Sequence, residues 1–340
     1  MVVATESDFA PTPDGATHAL LEVDDLSVEF ATSRGPVRVV EDVSFSLRAG
    51  ETFGLVGESG SGKSVTSLAL IGLIGPPSGR VPTGSIRFDG VDLRNLSPNE
   101  LRRIRGRDIS MIFQEPRRSL DPAFTVGDQI AETVRTHRGA SRKAGWQRAV
   151  EMLDLVGIPS AAKRAHNYPH QFSGGMAQRV MLAIALSCSP RVLIADEPTT
   201  ALDVTVQAQV LELIRELQDE LGLAVLFISH DLGVVAEMCD RVAVMYAGHI
   251  VEQSPVDELF FRPEHPYTSA LLQSIPRVGM TEMAAIPGVV PPAHDWPSGC
   301  RFHPRCAHAI ERCSIDTPTG GTEGAPRCLR VDELSLEGVQ

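Results

Sequence analysis

Residues Gly57-Glu58-Ser59-Gly60-Ser61-Gly62-Lys63-Ser64 fit the phosphate-binding pattern G-x-x-x-x-G-K-[ST] without a mismatch, and no other stretch narrows the possible folds so far. The residues before it, Glu51 to Val56, read as a short buried strand, and those from Ser64 to Ile71 read as a helix start. Glycines let a backbone curl so that successive N–H groups converge on phosphate oxygens, and the helix N-terminus adds partial positive charge at the same point. In that arrangement Lys63 reaches the β- and γ-phosphates of a nucleoside triphosphate and the Ser64 hydroxyl ligates Mg²⁺. A glycine-rich turn that merely precedes a helix is the plainer reading, and an eight-residue match between strand and helix disfavours it.

Length and charge exclude several classes. With 340 residues, 43% of them hydrophobic, the chain can bury one large domain plus an appendage, or two domains. A net charge of −12 speaks against wrapping nucleic acid or docking on an anionic membrane by charge alone. No apolar run is long enough to cross a bilayer. Met1 to Thr17 is polar, with neither a basic nor an apolar region of a secretory signal, so residues 1–19 are expected to be a disordered leader and the protein to stay in the cytosol unless a partner holds it at a membrane.

The alternating stretches Leu20–Phe30 and Val37–Leu47 predict two antiparallel strands about a Gly35-Pro36 turn. A further strand is expected over Ser85–Gly90 and another over Asp108–Phe113, ending at Gln114. From Glu115 to about Gln171 the periodicity turns helical, over Val126–His137 and Arg142–Val156, which suggests a helical insertion within a nucleotide-binding core. Phe172-Ser173-Gly174-Gly175-Met176 opens a helix over Met176–Ser187, a second possible phosphate contact, although Ser-Gly-Gly is also a common turn. Arg191–Asp196 is an apolar run with little alternation, as in a strand buried on both faces of a parallel sheet. It ends in Asp196-Glu197, where ligands bind in open α/β sheets, so Asp196 is a candidate Mg²⁺ ligand and Glu197 a candidate base for an attacking water. Two surface acids after a core strand is the bland alternative, weakened because a phosphate loop needs a second metal ligand. Thr200-Ala201-Leu202-Asp203 precedes a helix from Val204 to about Glu220. Ala224–Ser229 is another apolar strand, followed by His230, and Arg241–Tyr246 with His249–Gln253 read as a hairpin.

Together these motifs resemble the ATP-binding subunit of an ABC transporter over about Leu21 to Gln253. The resemblance implies an α/β fold: a P-loop NTPase core of ABC type over residues 20–262, with an antiparallel β subdomain, a helical subdomain at about 115–187, and a C-terminal Cys-rich extension over 263–340. It further implies that ATP contacts Gly57 through Val65, Gln114, Asp196, Glu197 and His230, with Phe30 as the aromatic stacked on adenine. Mg²⁺ would be held by Ser64, Gln114 and Asp196; Lys63, Glu197 and His230 would act in hydrolysis. Ser173, Gly174, Gly175 and Met176 would meet ATP bound to the opposite subunit, and Ala201-Leu202-Asp203 would be the D-loop. Phe172 and Met176 depart from the Leu and Gln usual in that signature, while the Ser-Gly-Gly core is intact.

Tyr168 to Met176, Ala195 to Gln209, His265-Pro266-Tyr267-Thr268, Ile286-Pro287-Gly288 and Pro291-Pro292 are similar to the oligopeptide/dipeptide importer ATPases. This resemblance implies ATP-driven import of peptides, with a second, related ATPase subunit, two transmembrane permeases, an extracytoplasmic peptide-binding protein, and a place on the cytoplasmic face of the membrane. Nickel or another small solute as cargo, or a soluble ABC ATPase outside transport, are the alternatives.

Of the six cysteines, Cys188 and Cys239 sit in apolar surroundings, while Cys300, Cys306, Cys313 and Cys328 are spaced x5, x6 and x14 apart in the tail. In a reducing compartment metal ligation outranks disulfides. Four thiolates are the ligand set of a 4Fe–4S cluster or of a Cys₄ zinc site, and ligand type alone does not separate them; His303 and His308 are alternative ligands, and four unligated cysteines remain the third reading. Resemblance to the peptide importers implies the cluster.

Overall fold

The computed structural model describes residues 19–200, 203–275 and 285–339; the leader predicted at 1–19, save Ala19, and Ala201 and Leu202 of the D-loop lie outside these. The chain begins β1 (Ala19–Thr32), β2 (Gly35–Arg48), β3 (Thr52–Val56), α1 (Lys63–Leu70), β4 (Gly79–Phe88), β5 (Val91–Asp92), α2 (Pro98–Ile104) and β6 (Ile109–Ile112). The helical stretch follows as α3 (Pro116–Ser119), α4 (Val126–Arg138), α5 (Arg142–Leu155), α6 (Ala161–Arg164) and α7 (Gly174–Leu186). The chain then returns to the core with β7 (Val192–Asp196), α8 (Val204–Leu221), β8 (Ala224–Ser229), α9 (Leu232–Met238), β9 (Arg241–Tyr246), β10 (His249–Pro255), α10 (Val256–Phe261) and α11 (Pro266–Gln273).

Two sheets organise these elements. One has the order β10-β9-β3-β8-β7-β6, parallel except for β10. The other, β2-β1-β4-β5, is antiparallel throughout. The missing alternation in β7 and β8 has a direct cause. Leu193, Ala195, Val225 and Phe227 enter an apolar cluster shared with α4, α5, α7 and α8, whereas Val192, Ile194, Leu226 and Ile228 enter a second cluster shared with α1 and the antiparallel sheet. Each strand therefore buries both faces.

The turn between β1 and β2 falls at Ser33-Arg34, not at Gly35-Pro36. Thr32 pairs with Gly35, and the Thr32 hydroxyl donates to the Gly35 carbonyl at 2.7 Å while accepting from the Arg34 N–H at 3.2 Å. Pro36 is tolerated within β2 because β2 is an edge strand, where a missing donor costs little. Similarly, β4 begins six residues before the predicted Ser85, since Pro82 and Gly84 hide its pattern. The helix after Ser173 begins at Gly174, so both glycines lie in its first turn rather than before it.

Beyond Phe261 the chain stays packed on the core. Tyr267 and Leu272 of α11 are fully buried in the same cluster as β8 and β9 residues. The Glu252 carboxylate accepts hydrogen bonds from the Glu264 and His265 N–H groups at 2.7 and 2.9 Å. Further on, the Arg327 N–H donates to the Val251 carbonyl at 2.7 Å, so the tail covers part of the edge strand β10.

Candidate active site

Four adjacent parallel strands, β3, β8, β7 and β6, each end in a polar residue on the same side of the sheet: the glycine loop after Val56, His230 after Ser229, Asp196-Glu197 at the end of β7, and Gln114 two residues past Ile112. The C-terminal edge of a parallel sheet is where backbone and helix dipoles favour anions.

The loop is shaped by its glycines. Gly57 has φ +148° and Gly62 +112°, both in the region that favours glycine. Lys63 is 6% exposed, and its Nζ donates to the carbonyls of Gly57 and Glu58 at 2.7 and 3.0 Å. Burial lowers the Lys63 pKa, opposed by the charges of Glu197, Asp196 and Glu58. Ser64 Oγ donates to Asp196 Oδ1 at 3.2 Å, and the Asp196 carboxyl is raised by burial, with the Ser64 hydrogen bond drawing it back. A hydroxyl and a carboxylate side by side are hard oxygen donors suited to Mg²⁺.

Glu197 occupies the left-handed region, with φ +48°, and is held by three side chains. Gln114 Nε2 and Thr200 Oγ1 each donate to Oε2 at 2.8 Å, and His230 Nδ1 lies 3.3 Å from Oε1. Burial pushes the Glu197 carboxyl up, but hydrogen bonds from Thr200 and His230 and the charges of His230 and Lys63 outweigh it, leaving it below the usual carboxylate range. Glu197 is thus a carboxylate near neutral pH, oriented for one task.

The remaining candidates stand elsewhere. Phe30 is half-buried in β1, with its ring against Gly79 of β4. Ser173 caps α7, accepting from the Met176 N–H at 3.3 Å, and with Gly174 it is exposed. Sequence reasoning passed over three residues that touch the site: Thr200, Tyr267 and Arg305. The Tyr267 hydroxyl accepts from the Glu58 N–H at 3.0 Å, and Arg305 pairs with the Glu58 carboxylate at 2.7 and 2.9 Å. Thr200 lies three residues from Glu197, within a local spacing, whereas Tyr267 and Arg305 reach Glu58 from 209 and 247 positions away.

Among the described residues, no group of three or more His, Cys, Asp or Glu side chains stands close enough together to hold a metal ion, so the ligand shell expected at Cys300, Cys306, Cys313 and Cys328 is not formed. All six cysteines are free thiols. The four tail cysteines nonetheless line one small cavity, together with His303 and His308. Burial raises the Cys300 thiol to about 11, and neighbouring thiols add to the shift. Cys306 and Cys328 are raised for the same two reasons. Buried thiols resist becoming thiolates together, and a metal cation is what reverses that preference. The donor set therefore suits a metal, while the spacing does not close on a single ion.

A phosphate loop, a glutamine, an Asp-Glu pair and a histidine on neighbouring strand ends, beneath an antiparallel sheet and beside a helical insertion, define the class of ATP-binding cassette ATPases. The chain belongs to the ABC transporter family: residues 40–200 match that family, and residues 251–313 match the oligopeptide/dipeptide transporter C-terminal region. It is 50% identical over 302 residues to the dipeptide transport ATP-binding protein DppD of Escherichia coli (strain K12), covering 88% of this chain and 92% of that one. To the oligopeptide transport ATP-binding protein AppD of Bacillus subtilis (strain 168) it is 48% identical over 323 residues, covering 94% and 98%. Among solved structures it is similar to a dimeric ATP-binding cassette in a post-hydrolysis state bound to ADP and Pi, with a TM-score of 0.63, 26% identity, and coverage of 69% of this chain and 98% of that one.

Proposed function

We propose that this chain binds and hydrolyses ATP to power import of dipeptides or oligopeptides, working at the cytoplasmic face of the membrane with two permease subunits, a related second ATPase subunit and an extracytoplasmic peptide-binding protein. The observation that carries the reading is the oligopeptide/dipeptide transporter C-terminal match, seated on an ATPase core whose relatives are dipeptide and oligopeptide transport ATP-binding proteins. ATP and Mg²⁺ would lie over Gly57–Val65, with Ser64 and Asp196 on the cation. Gln114 already engages Glu197 through its amide nitrogen, so its amide oxygen is the atom that could join them. Glu197 would take the proton from the attacking water, and His230 would hold that carboxylate in place. Ser173 and Gly174 are exposed, Gly175 is half-buried, and Ser173 is bonded within its own helix, which suits a contact with ATP on a second subunit; the dimeric relative supports that arrangement. In a reconstituted complex, di- or oligopeptides presented by the binding protein should stimulate ATP hydrolysis several-fold. Stimulation by nickel or another small solute and none by peptides would overturn the peptide reading.

For the tail we propose a 4Fe–4S cluster at Cys300, Cys306, Cys313 and Cys328. What supports the reading is that the four thiols line one small cavity and are the ligand set of such a cluster. Anaerobic protein should be brown, with about four irons per chain. Stoichiometric zinc in a colourless preparation would refute this.

A further inference from the structure

Glu58 stands beside the phosphate site, where its carboxylate would repel the anion that the loop binds. In this protein every polar group of Glu58 is committed. Its N–H donates to the Tyr267 hydroxyl at 3.0 Å, its carbonyl accepts from Lys63 Nζ at 3.0 Å, and its carboxylate receives both Arg305 guanidinium nitrogens, at 2.7 and 2.9 Å. Two of these partners come from beyond the cassette core. The pairing is bidentate, and the Arg305 side chain is only 6% exposed against 28% for Glu58, so neither charge is freely screened by water.

Arg305 is itself fixed from behind. Its Nε donates to the Pro287 carbonyl at 2.7 Å, and its Nη1 lies 3.4 Å from the Tyr246 hydroxyl. Tyr246, Tyr267 and Phe302 form a ring triangle with centroids 4.6 to 5.2 Å apart, which sets Tyr267 and the turn His303–Arg305 against the end of β9. Cys300 and Cys306 bracket that turn, so the segment that lines the thiol cavity also delivers Arg305 to the phosphate loop.

We propose that Arg305 and Tyr267 are positioning residues of the nucleotide site, and that the C-terminal extension is a brace in cis that holds the Glu58 carboxylate neutralised and turned away from the bound phosphates. The inference rests on the reading of Gly57–Ser64 as the ATP site. Without Arg305, Glu58 keeps its charge and gains freedom to swing toward the triphosphate. The loss then appears in nucleotide affinity, and removing the Glu58 charge repairs it.

The test is equilibrium binding of Mg-ATP to the full chain, with thermal unfolding and steady-state kinetics of each variant. Arg305→Ala should weaken binding by about 10-fold, the size of one freed charge near a phosphate in a partly screened site. The double variant Arg305→Ala/Glu58→Gln should bind to within about 3-fold of wild type, an effect that a merely structural arginine would not produce. Tyr267→Phe keeps the ring packing and removes one hydrogen-bond acceptor, and should weaken binding about 3-fold. In Arg305→Ala and in Tyr267→Phe, KM should move more than kcat, and in the double variant it should return toward the wild-type value. If Arg305→Ala does not fold, Tyr267→Phe carries the test. A double variant no tighter than Arg305→Ala overturns the proposal, and so does wild-type affinity in Tyr267→Phe. Failure of the wild-type chain to bind Mg-ATP is a separate result, which removes the nucleotide reading itself.

Discussion

Ser64 Oγ and Asp196 Oδ1 meet at 3.2 Å, tying the first turn of α1 to the end of β7 across 132 positions of sequence. Burial already disfavours the charged form of Asp196, so a cation beside it would be strongly held. Asp196→Asn keeps the shape and removes the charge. It should reduce the Mg²⁺-dependent part of ATP affinity by about 10-fold or more, leaving Mg²⁺-free binding nearly unchanged. Titrations with and without a chelator measure this; an unaltered Mg²⁺ dependence would place the cation elsewhere.

Glu197 is held by Gln114, Thr200 and His230, and its carboxyl sits below the usual range. Glu197→Gln preserves much of that geometry and removes the carboxylate proposed to accept the proton from water. Turnover should fall by about 10² to 10⁴-fold while ATP binding stays within about 3-fold of wild type. Single-turnover hydrolysis of labelled ATP reads the chemical step directly, and near-normal turnover would mean that another group accepts the proton.

Much of this site was legible because its parts are local signals: a loop pattern at 57–64, apolar runs ending in Asp196-Glu197 and in His230, a serine cap at Ser173. Each depends on residues a few positions apart, and the parallel sheet needs only to bring strand ends side by side. What was not legible depends on long-range closure. Arg305 meets Glu58 from 247 positions away, and nothing in the Pro-Arg-Cys run announces a partner. The start of β4 was hidden because Pro82 and Gly84 are tolerated in a strand whose neighbours supply the packing. The tail cysteines were legible as a group; the cavity they share is a product of the fold.

The pH dependence of stability should reflect two buried histidines opposed by one buried carboxyl. Burial holds His265 down at about 3 and His249 at about 4, against an ordinary value of 6.5. Their contributions are therefore complete above about pH 6.5 and decline as pH falls toward those values. Glu252 runs the other way: burial raises it to about 7, so its contribution is complete below about pH 4.5 and is lost as pH rises through 7. Between about pH 4.5 and 6.5 its proton uptake on folding offsets one histidine, at about 1.4 kcal/mol per pH unit. Glu252→Gln removes that offset, so urea unfolding at pH 5.0, 5.75 and 6.5 should show a steeper acid loss than wild type by about 1 kcal/mol per unit. Equal slopes would mean that Glu252 is already charged in the folded protein.

Gly57 and Gly60 separate the two reasons a phosphate loop needs glycine. Both have positive φ, +148° and +81°. A Cβ on Gly57 would lie 2.1 Å from the Met245 carbonyl oxygen, whereas a Cβ on Gly60 would meet nothing within 4 Å. Met245 belongs to β9, which pairs with β3 on one side and β10 on the other, so that carbonyl has no room to retreat. Gly57→Ala must therefore displace the loop itself, at a cost of about 3 kcal/mol from strain and overlap together, and ATP binding should be lost. Gly60→Ala meets only the backbone preference, about 1 kcal/mol, and should retain measurable binding. Chemical denaturation and nucleotide titration of the two variants side by side read the difference. Equal losses at both sites would show that conformation alone, rather than the close approach of Met245, dictates glycine here.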